Sequence, residues 1–296
     1  MRTIEFNADD GTPLRGWIVT PDGPGPHPAV VMTHGAGGYK EWHLPALSAM
    51  LREAGIASLA YDHRNFGDSG GEPRCEIAAA RQIEDYRTAI TFAQTQADLD
   101  PHRIGVFGTS FSGGHVLVVA AIDRRVRCVV AQVPWISGSQ GMIAQFHPEE
   151  AVAMRARWDE DRRDRAAGKP PQMVPHYVSD PDNPIAGRSV NRVKFFQRMT
   201  EAEKRNWTNQ LTLRSMEQLY QYEAGHYVRL ISPTPLLMIV SHEEAQLMLP
   251  WYEQAMEPKQ VVLTRGGHYD PYMDEFAKAA GATREWFARW LVNEPG

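Results

Sequence analysis

The hydrophobic positions of this chain follow two alternating patterns. Short continuous apolar runs of about five to eight residues are typical of strands that a parallel sheet buries on both faces. Segments between them have apolar residues about three or four positions apart, which is typical of amphipathic helices. This alternation predicts an α/β fold with a mostly parallel, doubly wound sheet. The predicted strands are 29–33, 56–61, the run beginning at Ile104, 126–133, 236–240 and 261–263, with an antiparallel edge pair at 2–7 and 14–20.

Glycine-rich loops surround the ends of three predicted strands. They lie at residues 34–38, 62–71 and 108–114. The carboxyl ends of parallel strands meet at one edge of a sheet, and open α/β sheets bind their ligands there. We therefore expect the three loops to come together at a functional site.

The pattern changes between residues 135 and 231. No buried-strand pattern appears there; the spacing predicts helices at 149–167 and 200–224, with an irregular, proline-rich stretch at 170–184. The strand pattern then resumes at 236. Because an insertion at the active-site edge of a sheet usually forms a lid, we predict a core of residues 1–134 and 232–296 and a mainly helical cap at 135–231.

Composition and charge restrict the class of partner. The 296 residues carry 31 Lys and Arg against 36 Asp and Glu, a formal net charge of -5. This balance argues against binding to nucleic acid or to an anionic membrane. No apolar run approaches the ~18 residues of a membrane span, and the first residues lack a signal-peptide pattern. A small-molecule partner and a cytoplasmic location are expected, and a homodimer stays open.

The two cysteines indicate a reducing compartment. Neither Cys75 nor Cys128 has a CxxC partner or a metal-ligand spacing. Cys128 lies within an apolar run and is expected to be a core thiol. We expect neither a metal site nor a cofactor.

The serine at position 110 has the surroundings of a nucleophile. The sequence Gly108-Thr109-Ser110-Phe111-Ser112 joins an apolar strand to an apolar helix. A sharp strand–turn–helix connection of this kind, with small residues around the serine, is the nucleophile elbow of serine hydrolases. Ser112 replaces the commoner glycine and is small enough for that position. The alternative is that Ser110 is an ordinary helix N-cap.

A serine nucleophile needs a base and an acid, which follow it in the order acid, then histidine, in this kind of fold. His268 lies in a glycine turn after the last predicted strand and is the predicted base; His242 is the competitor, but lies too early in the chain. The acid should follow the strand 236–240, where Glu243 and Glu244 are available. We favour Glu244.

The glycine loop at 34–38 and the elbow predict an oxyanion hole. In serine hydrolases one donor comes from such a loop and the other from the residue after the nucleophile. The backbone N–H groups of Ala36 and Phe111 are the expected donors. Gly35, in the same loop, and Trp135, which leaves a core strand beside the elbow, are predicted to contact substrate.

With these residues placed, the chain resembles the α/β-hydrolase superfamily, and within it the dienelactone-hydrolase-like group that includes fungal polyketide transferases. The resemblance implies a Ser-acid-His triad and an acyl-enzyme route. The acid differs from the family pattern, since an aspartate is usual there and the stretch 244–250 is apolar. The segments that carry the resemblance are 61–69 (YDHRNFGDS), 108–115 (GTSFSGGH), 212–215 (TLRS), 231–240 (ISPTPLLMIV) and 266–268 (GGH).

These observations predict a serine esterase that acts on a small-molecule carboxylic ester, thioester or lactone. Ser110 is the nucleophile, His268 the base and Glu244 the acid. An acyl or polyketide transferase with the same triad is the alternative, in which an alcohol or amine replaces water. A third hypothesis is a ligand-binding protein that keeps the fold and has lost turnover.

Overall fold

The apolar runs form the inner strands of an eight-stranded sheet in a computed structural model of the chain, which describes residues 1–176 and 190–293. The strands are β1 (Arg2–Asn7), β2 (Pro13–Val19), β3 (His27–Thr33), β4 (Ala57–Tyr61), β5 (Leu99–Thr109), β6 (Val126–Gln132), β7 (Met173–Val174), β8 (Leu211–Thr212), β9 (Leu236–Ser241) and β10 (Lys259–Thr264).

Eight of these strands pair in the order β1–β2–β4–β3–β5–β6–β9–β10. Strand β2 is antiparallel to both of its neighbours, β1 and β4. Every other pair in the sheet is parallel. The predicted α/β class, the mostly parallel sheet and the antiparallel edge pair are confirmed.

Helices cover both faces of the sheet. Helices α2 and α3 pack on one face, and α1 and α10 on the other. The helices are α1 (Leu44–Glu53), α2 (Ala79–Gln94), α3 (Phe111–Ile122), α4 (Gly138–Gln145), α5 (Pro148–Ala166), α6 (Val190–Arg198), α7 (Glu201–Lys204), α8 (Leu213–Gln221), α9 (Ala245–Tyr252) and α10 (Phe276–Phe287).

Strand β3 shows why the inner strands are continuously apolar. Ala29 and Val31 pack in the cluster under α2 and α3, whereas Val30 and Met32 pack in the cluster under α1 and α10. All four are fully buried. Because both faces of the sheet are covered, a polar side chain at any of these four positions would be buried.

The region between β6 and β9 is mainly helical, with α4 to α8 and a 3₁₀ helix at Ala224–Leu230. The sequence shows no buried-strand pattern in this region, and the structure adds one short antiparallel pair, β7 with β8. The predicted helix at 200–224 is also interrupted, because Leu211 is buried in that pairing and Thr212 caps α8 by accepting from Ser215 N. Part of the irregular stretch 170–184 lies outside the described residues, and the cap boundaries 135–231 stay a prediction.

None of the helices in the described ranges is long and apolar enough to cross a membrane.

Candidate active site

Ser110 occupies a sharp turn between β5 and α3. Its backbone has φ 56° and ψ -120°, in a region that non-glycine residues rarely adopt and that is found most often at functional sites. The turn is held by main-chain bonds from Ser110 N to Gln132 O and from Trp135 N to Ser110 O. A Cβ added at Gly108 would lie 2.0 Å from Ser112 O, so this position must be glycine. The strand–turn–helix geometry expected for an elbow is present.

Ser110, His268 and Glu244 form a continuous hydrogen-bonded series. Ser110 Oγ lies 2.9 Å from His268 Nε2, and His268 Nδ1 lies 3.0 and 3.1 Å from the two carboxylate oxygens of Glu244. A carboxylate can only accept, so Nδ1 carries the proton and Nε2 is free to accept one from the serine.

The surroundings of Glu244 favour its ionised form. Burial opposes ionisation, but the neighbouring His268 and hydrogen bonds from His268 and Ser241 outweigh it and hold the pKa of the carboxyl below its usual value. Ser241 Oγ donates to Glu244 Oε2 at 2.8 Å. Sequence reasoning missed Ser241, although its place as the last residue of β9 was a usable signal.

The two competing residues, His242 and Glu243, are not part of this hydrogen-bonded series. His242 and Glu243 are both exposed. The backbone N–H of Glu243 donates to Gly266 O at 3.0 Å, which ties the loop after β9 to the loop that carries His268. The structure therefore brings Glu244, and not Glu243, to the imidazole.

The loop at 34–38 passes directly over Ser110. A Cβ added at Gly35 would lie 2.6 Å from the Cβ of Ser110, so only glycine fits this approach. Ala36 follows it, and Phe111 is the first residue of α3, where a backbone N–H has no acceptor within the helix. The segments carrying the two predicted oxyanion donors thus meet at Ser110.

The His34 side chain holds a main-chain group of this loop. The backbone N–H of Gly35 donates to His34 Nδ1 at 2.8 Å. Burial lowers the pKa of His34 well below its usual value, and nearby histidines lower it further, so the ring is neutral.

Tyr272 packs beneath the site, and sequence reasoning missed it. Its hydroxyl lies 2.5 Å from Thr109 Oγ1, the side chain immediately before Ser110. Its ring also packs near His34 and His268. Only its position four residues after His268 pointed to it.

A cavity of about 530 Å³ opens beside His268 and Glu244. Trp135 lines it, and the Trp135 indole N–H donates to Leu219 O at 2.7 Å. Ile143, Leu247 and Met248 add further apolar surface. Of the side chains in the described ranges, no group of three or more His, Cys, Asp or Glu could hold a metal ion.

The chain belongs to the alpha/beta hydrolase family, whose model matches residues 30–280. It is 31% identical over 278 residues to a thiohydrolase of Eupenicillium brefeldianum, covering 91% of this chain and 87% of the relative. It is 29% identical over 288 residues to the polyketide transferase claH of Penicillium crustosum, covering 92% and 91%.

A solved structure gives the same result for the whole fold. The alpha/beta hydrolase GrgF from Penicillium sp. sh18 is 27% identical, with a TM-score of 0.80 over 98% of each chain. The resemblance to this family and to fungal polyketide transferases is confirmed. The chain is an enzyme of the family, a hydrolase or an acyltransferase.

Proposed function

We propose that this enzyme is a serine hydrolase that cleaves a small-molecule ester, lactone or, preferentially, thioester through an acyl-enzyme on Ser110. The observation that carries the proposal is the unbroken series from Ser110 Oγ through His268 to Glu244, which lies beside a large cavity. The thiohydrolase relative supports the preference for a thioester.

In the first half-reaction, Ser110 Oγ attacks the acyl carbonyl carbon while His268 Nε2 takes the serine proton. Negative charge develops on the carbonyl oxygen, and the N–H groups of Ala36 and Phe111 are the donors that stabilise it. His268 then gives its proton to the departing thiolate or alkoxide as the tetrahedral intermediate collapses. Glu244 keeps the imidazole oriented and stabilises its cation.

In the second half-reaction, water attacks the Ser110 ester. His268 removes one proton from this water and returns it to Ser110 Oγ when the intermediate collapses. The products are a carboxylic acid and the free enzyme. No step needs an oxidant or a metal ion.

The cavity wall supports an uncharged, largely apolar acyl group as substrate. Trp135, Ile143 and Leu247 supply apolar contacts. Among the described residues that line the cavity there is no Lys or Arg, while Glu243 and Glu244 are both present. A substrate carboxylate in this space would meet like charge without a compensating cation.

A panel of acyl-N-acetylcysteamine thioesters and matched oxygen esters tests this function. We expect thiol release that depends on Ser110 and is faster with thioesters than with matched oxygen esters. If thioesters were not cleaved faster than matched oxygen esters, the substrate would instead be an ester or a lactone. The absence both of turnover and of covalent labelling by a fluorophosphonate would favour the ligand-binding alternative.

An acyl or polyketide transferase is the second candidate. It is supported by the polyketide transferase relative and by the size of the cavity, which leaves room for an acceptor. Addition of an alcohol or amine should then give a new ester or amide at the expense of free acid. The cytoplasmic location stays a prediction from the sequence, and a homodimer stays open.

A further inference from the structure

A buried hydroxyl lies directly beneath the loop that passes over Ser110. Ser112 Oγ contacts His34 O at 2.5 Å, His63 Nε2 at 2.7 Å and Thr33 Oγ1 at 2.9 Å. All four residues are buried. Ser112 occupies the last small position of the elbow, where a glycine would offer no hydroxyl.

The hydrogen-bond donors in this cluster can be assigned from chemistry. A carbonyl oxygen only accepts, so the single hydroxyl proton of Ser112 belongs to the bond with His34 O. His63 must therefore donate through Nε2–H to Ser112 Oγ, which leaves its Nδ1 unprotonated. Thr33 Oγ1 lies 2.9 Å from the same oxygen and 3.0 Å from the Tyr86 hydroxyl, and its single proton is shared between these two acceptors.

His63 is neutral in this position, with its one ring proton on Nε2. Burial, with a further effect from the charge of Arg64, lowers the pKa of His63 to about 3. The ring packs against Tyr61, Tyr86 and His115, which restricts its rotation.

Both polar groups of the His34–Gly35 peptide, the carbonyl and the N–H, are hydrogen-bonded. The carbonyl of the His34–Gly35 peptide accepts from Ser112, and its N–H donates to the His34 imidazole at 2.8 Å. The next peptide along the chain carries the N–H of Ala36. Since Gly35 also lies against Ser110, rotation of the fixed peptide would turn the Ala36 N–H away from the reacting carbonyl.

We propose that Ser112, oriented by His63, is a positioning residue that aims the Ala36 N–H at the oxyanion. This inference rests on the proposed function, because it concerns the transition state of acyl transfer. Ser112 does not contact substrate in this account; it acts through the backbone at His34.

The first test is Ser112→Ala, assayed with the best thioester of the panel. Removing an oxyanion donor outright costs on the order of 10²- to 10³-fold in kcat, and a misdirected donor should cost less, so we expect about a tenfold fall. KM should stay within about twofold, because ground-state contacts are unchanged. The affinity of an alkylboronic acid, whose tetrahedral adduct occupies the oxyanion position, should fall by the same factor as kcat.

Ser215→Ala is the matched control. Ser215 is a fully buried serine whose hydroxyl accepts from Ile77 N at 2.9 Å and contacts Thr212 Oγ1 at 2.8 Å, and these partners lie outside the 34–38 loop. Both variants should lower Tm, but only Ser112→Ala should lower kcat and boronate affinity.

His63→Phe tests the same positioning role through the hydrogen-bond donor to Ser112. It also replaces Ser112→Ala as the test if that variant does not fold. Phenylalanine keeps the ring packing but removes the donor to Ser112. We expect a fall in kcat of a fewfold, again without a change in KM. The double variant should be no slower than Ser112→Ala within about twofold, because the two residues act in series.

The outcomes separate this inference from the proposed function. A wild-type enzyme without Ser110-dependent turnover contradicts the proposed function. An active, Ser110-dependent wild type combined with unchanged kcat and boronate affinity in Ser112→Ala and His63→Phe overturns the positioning role alone. So does a fall in kcat that Ser215→Ala reproduces.

Discussion

The carboxyl edge of the sheet and the region between β6 and β9 are built differently. At the sheet edge, Ser110 follows β5, Glu244 follows the end of β9 and His268 follows β10. These three strands belong to one continuous parallel ladder, with β6 between β5 and β9. The relative positions of the three side chains therefore depend on backbone pairing between neighbouring strands, of which β6 and β9 are buried on both faces.

The region between β6 and β9 has much less buried structure. Among the nineteen residues of α5, only Met154, Trp158 and Asp161 are buried. Ile143, at the cavity, is 80% exposed. We therefore expect a division of labour, in which the sheet edge provides chemistry common to every substrate and the helical region determines which acyl group is accepted. Substitutions at the sheet edge should therefore slow the reaction with every substrate, whereas substitutions in the helical region should have effects that depend on the acyl chain.

The largest expected effect is at the proposed base. His268→Ala should lower kcat by on the order of 10⁴- to 10⁶-fold for every substrate, because the serine loses its proton acceptor, and adding Ser110→Ala should change little more. His242→Ala is the control, since this exposed residue lies outside the series. Steady-state kinetics across the thioester panel measure both. If His242→Ala lost more activity than His268→Ala, the assignment of His268 as the base would be wrong.

The next effect concerns the acid. Glu244→Gln keeps the shape but loses the charge that orients His268 and stabilises its cation, which in a comparable triad costs roughly 10⁴-fold. Glu243→Gln should stay within about tenfold of the wild type. Pre-steady-state acylation rates give the comparison directly. Equal rates for the two variants would contradict the role of Glu244.

A smaller effect, dependent on substrate, is expected in the helical region. Ile143→Ser removes apolar surface at the cavity, and partial burial of about one methylene group is worth ~0.8 kcal/mol. KM for a long acyl chain should rise about fourfold, while KM for an acetyl group should be unchanged. Val152→Ser, which replaces an exposed apolar residue of α5 that does not line the cavity, is the matched control. A uniform change for all chain lengths would argue against the division of labour.

The last prediction is that one ratio of rates does not change with pH. The ratio of kcat between wild type and Ser112→Ala should not vary between about pH 6 and pH 9, because His63, with its pKa lowered to about 3, stays neutral throughout. Its neighbours do not titrate there either: burial lowers the pKa of His115 and raises the pKa of Tyr61 and Tyr86, and hydrogen bonding to Asp85 raises that of Arg64. A ratio that changes with protonation would show that a titrating group controls the loop.

The pattern of the chain predicted the sheet edge well because strands buried on both faces leave a strong signal. The run at β3 and the elbow at β5 are apolar segments followed by glycine-rich turns. Glu244 was predicted from its distance after the strand end. Its geometry agrees with the expectation, and its role stays a prediction.

The remaining features depend on contacts between distant parts of the chain. The predicted helix at 200–224 is interrupted because Leu211 pairs with Val174, and no local pattern records that pairing. Likewise, Ser112 was interpreted only as a small residue that avoids a clash. Its partner His63 lies 49 positions away, and only folding shows that the two side chains meet beneath His34.

The most direct test of the account is to trap and map the acyl-enzyme. Wild-type protein is mixed with a thioester, quenched in acid within the first turnover and examined as intact protein and as peptides by mass spectrometry, with Ser110→Ala in parallel. The account predicts a single acyl adduct on the peptide that contains Ser110, which disappears in Ser110→Ala together with thiol release. An adduct on another residue, or turnover that survives Ser110→Ala, would contradict it.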